Sequence, residues 1–295
     1  MIDRTTLRNT ANYLREVRPI DPDELTQYVE GAAHPGVVRA ALREEAFDLR
    51  LREREDGRFE PVEEAPVAPP GWAPSAVPAD VSFALEDVLV STFGADWPVG
   101  DTGTTLRSAI RRLKTDYLYG NDVEYDEVAA LGYAIYHLPG YYAAIGYVLD
   151  ALSENGLLDR TLRVLDVGAG VGGPALGLHD SLPDDAVVSY HAIEPSSAAT
   201  VLERLLETTG RNFRTTVHRT TAEAAFGLGE HDADPPLTAP FDLVLFGNVL
   251  SELTDPVAVC AAGLDALASD GSVVALEPAD KETATSLREI ERAVT

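Results

Sequence analysis

Apolar positions recur at helical spacing three times in the first 47 residues: over Thr5–Val17, from the capping residue Asp21 through Glu30, and over Pro35–Phe47. The period then changes. Leu49 to Glu55 alternates, Asp56-Gly57 supplies a favoured tight turn, and Arg58 to Val62 returns, which predicts a hairpin. Three helices and a hairpin predict a winged-helix-like N-terminal module over residues 1–64. Residues 65–80 carry five prolines and predict an extended linker. From 81 to 160 the pattern is helical, best defined over Thr104–Leu118 and Tyr125–Leu152, with Pro139-Gly140 expected to interrupt the second stretch. This region is expected to cap the domain that follows.

Beyond residue 160 short apolar runs alternate with helical segments. Strands are predicted at Leu162–Val167, Val187–Glu194, Phe213–Val217, Phe241–Phe246 and Ser272–Leu276, closing on a helix near Thr285–Ala293. Five such β-α units predict an α/β fold with a parallel sheet over residues 161–295. The first strand runs into Gly168-Ala169-Gly170-Val171-Gly172-Gly173 and then an apolar helix. Glycines let backbone approach a ligand, and a helix N-terminus offers it free N–H groups. Dinucleotide-binding enzymes use a similar loop. Asp166, two residues before the first glycine, suits the cationic methionine end of S-adenosylmethionine better than a pyrophosphate. Glu194 ends the second strand, 28 residues after Asp166, in place to accept ribose hydroxyls. The expected cofactor residues are therefore Asp166, Gly168, Ala169, Gly170, Gly172, Glu194, Pro195 and, after the fourth strand, Asn248. Thr220, Thr221 and Glu223 are candidates beside adenine. The expectation is a Rossmann-like class I methyltransferase sheet. That sheet has seven strands in its class, so either the sequence is part of a longer chain or the last hairpin is missing.

Several segments sharpen this. Tyr136-His137-Leu138-Pro139-Gly140-Tyr141-Tyr142-Ala143-Ala144, the glycine loop, Ile193-Glu194-Pro195-Ser196, Leu250-Ser251-Glu252-Leu253 and Glu277-Pro278 together resemble the methyltransferase-like proteins of small-ribosomal-subunit assembly, known from mitochondria and with bacterial and archaeal relatives. The resemblance covers roughly residues 117 to 293. It implies S-adenosylmethionine as cofactor and the small subunit or its rRNA as partner, with methyl transfer to rRNA, or assembly without turnover, as the two expected activities. A small-molecule methyltransferase is the third reading. In two places the chain departs from the family pattern, with His137 where an arginine is common and Ala279 where a glycine follows Glu-Pro. Relatives also commonly carry a cysteine set for an iron–sulfur cluster, whereas Cys260 stands alone here, so no such cluster is expected from these residues.

Acidic residues dominate the charge. There are 49 acidic and 23 basic residues, a net charge of −26, with Lys114 and Lys281 the two lysines. So large an excess ordinarily argues against a nucleic-acid partner. Acid enrichment with lysine depletion instead suggests adaptation to high salt, where the Debye length shrinks to about 3 Å at 1 M. Residues 1–65 hold 10 basic and 15 acidic groups, making the N-terminal module the least acidic part. Arg39 and Arg43, on its third helix, are therefore candidate nucleic-acid contacts, together with the hairpin arginines 50 to 58. A protein-contact module with solvated arginines is the alternative.

The remaining candidates read more blandly. Cys260 lies in a small-residue apolar helix and reads as a buried thiol. Glu252 is either a base or a structural acid. No histidines repeat at metal-ligand spacing, so no metal is expected, and no residue is assigned as catalytic. Tyr136, His137 and Tyr142 are expected as cap contacts over the cleft, in a cluster with Tyr133, Tyr141 and Tyr147 that reads as a base-stacking surface or as a packing seam. With neither a long apolar run nor a signal-peptide pattern, the expected location is cytoplasmic.

Overall fold

The computed structural model describes residues 2–29, 34–119, 126–228, 237 and 240–295. Its N-terminal part contains α1 (Arg4–Arg15), α2 (Pro22–Leu25), α3 (Pro35–Glu45) and an antiparallel pair, β1 (Leu51–Glu53) with β2 (Phe59–Pro61). Asp3, Asp21 and His34 cap the three helices through their side chains. Leu7, Ile20, Leu25, Leu42, Leu51 and Phe59 close a core of their own. The second helix is far shorter than its pattern suggests. At Thr26 the hydroxyl turns back to the Asp23 carbonyl (2.7 Å) and the chain continues as turns; Glu30, its expected end, lies outside the described residues.

The proline-rich segment is extended, yet it is packed as a strap. Val67 is buried and its N–H donates to Leu158 O (2.7 Å), while Trp72 Nε1 donates to Ala143 O (2.9 Å). Three helices follow: α4 (Ala79–Phe93), α5 (Gly100–Tyr119) and α6 (Glu127–Glu154). The expected break at Pro139-Gly140 does not occur. The 28 residues of α6 run through Pro139, because buried residues on either side of it, Leu131, Leu138, Ile145 and Leu149 among them, outweigh the roughly 3 kcal/mol a proline costs inside a helix. Tyr125, the expected start, lies outside the described residues.

The sheet consists of β3 (Thr161–Val167), β4 (Val187–Ile193), β5 (Phe213–His218), β6 (Phe241–Gly247) and β7 (Leu267–Leu276), in the order β5-β4-β3-β6-β7 and parallel throughout. Both faces are covered, as parallel sheets require. On one face lie α6, α7 (Gly173–Ser181) and α8 (Ala198–Leu206), joined by Leu162, Val164, Tyr190 and Leu245. On the other lie α9 (Ala222–Ala225), α10 (Pro256–Asp265) and α11 (Lys281–Val294), where Leu165, Phe246, Cys260 and Ile290 meet. Gly177 lets α6 and α7 touch, since a Cβ there would stand 2.3 Å from Ile145 Cγ2. No described helix is long and apolar enough to cross a membrane.

The order reverses between β3 and β6: the chain builds outward from β3 through β4 to β5, then returns to β6 on the other side. In open parallel sheets a ligand crevice forms at that switch point, outside the strand C-termini. The N-terminal module sits at the opposite end. Glu53 N–H donates to Asn212 Oδ1 (2.8 Å) and Asn212 Nδ2 returns to Glu53 O (3.0 Å), just before β5 begins. Arg163, near the start of β3, pairs with Asp48 (3.2 Å) and lies over the Phe47 ring (4.7 Å). With seven residues in β3 and about 3.3 Å of rise for each, the module and the crevice are separated by most of the strand length.

Candidate cofactor cleft

At the switch point lies a cavity of about 620 Å³, within the range usual for small-molecule sites. Gly168 and Gly170 line it from the β3 loop, Glu194, Pro195 and Ser196 from the β4 end, Thr221 and Glu223 after β5, and Asn248 and Glu252 after β6. Gly168 adopts φ +70°, and a Cβ on it would fall 2.3 Å from Val249 Cγ2, so side chain and backbone sterics both demand glycine there. The N–H groups of Gly168 and Ala169 donate to Ile193 O (2.9 and 3.1 Å), pinning the loop to β4.

Glu194 organises the floor. Its Oε2 accepts the Gly170 N–H (2.8 Å) and its Oε1 the Ser196 N–H (2.9 Å), so one carboxylate ties the glycine loop to the turn after β4. An ionised carboxylate has about four acceptor sites, which leaves two for a diol. Thr221 caps α9 through Ala224 N (3.3 Å) and faces the cleft with Glu223, whereas Thr220 is not in the lining. Asn248 holds the left-handed conformation (φ 59°) and its N–H donates to Leu276 O (2.7 Å).

Three expected cofactor residues, Asp166, Ala169 and Gly172, are not in the lining. Asp166 is wholly buried, accepts the Tyr190 hydroxyl, and has Oδ1 without a partner among the described residues. Burial pushes its carboxyl up to about 7, with the Tyr190 hydrogen bond opposing and the Glu194 charge adding to the rise. It braces the strand beneath the loop. Gly172, at φ 93°, faces Leu202, and Ala169 packs into the core.

Of the cap side chains, Tyr142 turns away and donates to Asp180 (2.8 Å), Tyr136 is exposed, and Tyr133 supplies the lining contact. His137 stands between Tyr133 and Tyr141, with ring centroids 4.6 and 5.5 Å apart, and meets Tyr136 edge-on at 4.8 Å. Burial and then the Lys114 charge lower its pKa. The importance of Tyr133 was hard to read from sequence because five tyrosines share α6 and helical period alone does not say which of them reaches a cleft.

Glu277, at the end of β7, supplies a tie that spacing did not reveal. Its Oε1 accepts Leu250 N–H (2.8 Å), and its Oε2 accepts the Ser251 hydroxyl (2.9 Å), holding closed the turn Leu250–Glu252. Burial chiefly raises the Tyr141 hydroxyl, and the charges of Glu252 and Glu277 add to the rise. The Leu-Pro-x-x-Tyr, Leu-Ser-Glu-Leu and Glu-Pro segments thus converge beside the cleft.

Comparison with known proteins now bears on this arrangement. The profile of the family described as mitochondrial small ribosomal subunit Rsm22 matches residues 127–293, more than half of the chain. The chain belongs to the Rsm22 family. The Rsm22 segment takes in α6, the whole parallel sheet and nearly all of α11, so the convergent motifs all fall within it. Residues 4–55 match a separate N-terminal domain of unknown function, DUF8157. No curated protein matches the chain. Among solved structures it is similar to the [4+2]-cyclase SpnF (19% identity, 64% of this chain and 70% of that one, TM-score 0.39). It is also similar to the O-methyltransferase TomG of Streptomyces achromogenes (18%, 70% and 83%, 0.36). A third is the O-methyltransferase NcsB1 of neocarzinostatin biosynthesis (17%, 99% and 82%, 0.36).

The two arginines singled out in the N-terminal module lie outside the Rsm22 segment. Arg43 forms a two-pronged pair with Glu53 (2.5 and 2.8 Å), and Arg39 packs beside Gly57 in a small cavity with Asp21, Asp23 and Asp56.

Proposed function

We propose that this chain is an S-adenosylmethionine-dependent, methyltransferase-like protein that acts on or binds the rRNA of the small ribosomal subunit during its assembly. The observation that carries this reading is Glu194, which lines the switch-point cleft with acceptor capacity to spare while fixing the glycine loop. The cofactor fits the residues present: Glu194 for the ribose, Thr221 and Glu223 beside adenine, and Gly168, Gly170 and Asn248 around the methionine end. When bound it supplies an electrophilic methyl group, and transfer to an acceptor held in line requires positioning more than a protein base. Tyr133 and Glu252 border the cleft where an acceptor would enter. Family membership supports the small subunit as partner. The excess of acidic residues supports a cytoplasm of high salt as the setting.

Binding without turnover is a second reading, favoured by one feature. The turn after β6, where acceptor-gripping loops stand in amino-group methyltransferases, is locked by Glu277, with Leu250 buried. Incubating the chain and small ribosomal subunits with methyl-tritiated S-adenosylmethionine tests both readings. Label in rRNA that is lost with Glu194→Ala supports the enzyme. Co-sedimentation without label supports the assembly factor, and neither label nor co-sedimentation overturns the ribosomal role.

A further inference from the structure

Residues 107–114, Arg-Ser-Ala-Ile-Arg-Arg-Leu-Lys, contain four basic side chains and no acidic one, in a chain of net charge −26. They lie on α5 with Leu106, Ala109 and Leu113 buried, which turns Arg107, Arg111 and Lys114 outward at i, i+4 and i+7 along one exposed face. Arg112 pairs with Asp126 (2.9 Å), but none of the other three has a carboxylate partner among the described residues. Lys114 extends to the next helix, where its Nζ donates to Tyr136 Oη (2.6 Å) and lies 3.8 Å from the ring centroid. From Tyr136 the rings continue through His137, at 4.8 Å, to Tyr133, at 4.6 Å, and Tyr133 lines the cleft. A stripe of positive charge that lacks carboxylate partners among the described residues therefore leads through a run of aromatic rings to the cleft.

We infer that the outer face of α5 and the Tyr136–His137–Tyr141 surface of α6 form a binding track for single-stranded RNA, with Arg107, Arg111 and Lys114 on the phosphates and the outer rings of that surface, Tyr136 and Tyr141, stacking bases. Charge and rings together favour this occupant. Cations follow a phosphate backbone, and unpaired bases stack on tyrosine and histidine irrespective of sequence, whereas a duplex hides its base faces. The inference rests on the ribosomal reading above, and it locates the contact at the cap instead of at the N-terminal arginines.

The test uses the full chain and a fluorescein-labelled 16-nucleotide single-stranded RNA of mixed sequence, followed by anisotropy across a KCl series. Arg107→Gln/Arg111→Gln/Lys114→Gln should weaken binding at least tenfold and reduce the slope of log affinity against log salt by about 2, at about 0.7 for each phosphate no longer neutralised. Tyr136→Ala/His137→Ala should weaken binding without changing the slope, and the duplex of the same sequence should compete poorly. Unchanged S-adenosylmethionine affinity in the α5 variant shows that its fold is intact. Strong RNA binding that survives the α5 changes but is lost with Arg52→Gln/Arg54→Gln/Arg58→Gln overturns the inference and leaves the ribosomal reading standing. No RNA binding by the parent overturns the inference, and co-sedimentation of the same protein with small subunits then decides whether the ribosomal reading stands.

Discussion

Two stretches of this chain are equally rich in arginine and lysine, and they do opposite things with them. The hairpin residues 50–58 hold four arginines among three acids, and residues 107–114 on α5 hold four basic residues and no acid. In the hairpin Arg50 pairs with Glu64, Arg52 and Arg54 with Glu60, and Arg58 with Asp21. Nine of the ten arginines in residues 1–65 form an ion pair, Arg39 being the exception among the described residues. That charge is neutralised within the module. On α5 it faces solvent, next to the α6 rings that run to the cleft. Counting basic residues along the sequence points to the first region; asking which of them lack a carboxylate points to the second.

The largest effect expected belongs to neither stretch and fixes the pH at which they should be compared. Asp166 is raised from 3.8 to about 7, so the folded protein holds a proton there that the unfolded chain has released. Its contribution to stability is present at acid pH and lost as pH rises from about 4 to 7, by roughly 4 kcal/mol at about 1.4 kcal/mol per unit. His191, lowered by burial to about 4, opposes this, because its contribution is lost as pH falls from 6.5 towards 4. The difference between Asp166→Asn and the parent isolates the carboxyl. In guanidinium melts the variant should gain on the parent steadily between pH 4 and 7, and a constant difference would show that Asp166 is ionised in the fold.

Next in size is the hairpin's central acid. The side chain of Glu53 is almost wholly buried, holds Arg43 by both oxygens and lies 3.7 Å from Arg211. Glu53→Ala should cost about 2 kcal/mol, read as a lower denaturation midpoint. A neutral result would mean that the hairpin charges do not hold structure. The smallest effect is expected on α5, where Arg107→Gln/Arg111→Gln/Lys114→Gln should change stability by less than about 0.5 kcal/mol in the same melts. A larger loss would show that these side chains have structural partners after all.

Much of the sheet was legible because its strands are short apolar runs cut by glycine and by acids at their C-terminal ends. That pattern puts Glu194 and Gly170 at strand ends, and in the structure both line the cleft. For Asp166 the same two-residue offset from the glycine serves a ligand contact or a buried brace, and the strand's pleat aims its carboxyl at Tyr190. Pro139 misled for a related reason: a local helix breaker is overruled by tertiary packing along both sides of α6. The Glu277 tie joins residues 26 and 27 apart, and no periodicity reports such a contact.

The claim on which the rest depends is that the switch-point cleft takes S-adenosylmethionine through Glu194. Titration calorimetry of the full chain in multimolar KCl measures this directly, comparing the parent with Glu194→Ala. The expected result is one site per chain in the parent and affinity at least tenfold weaker in the variant. Well-folded parent protein that releases no heat of binding, or a variant that binds as tightly as the parent, would contradict it.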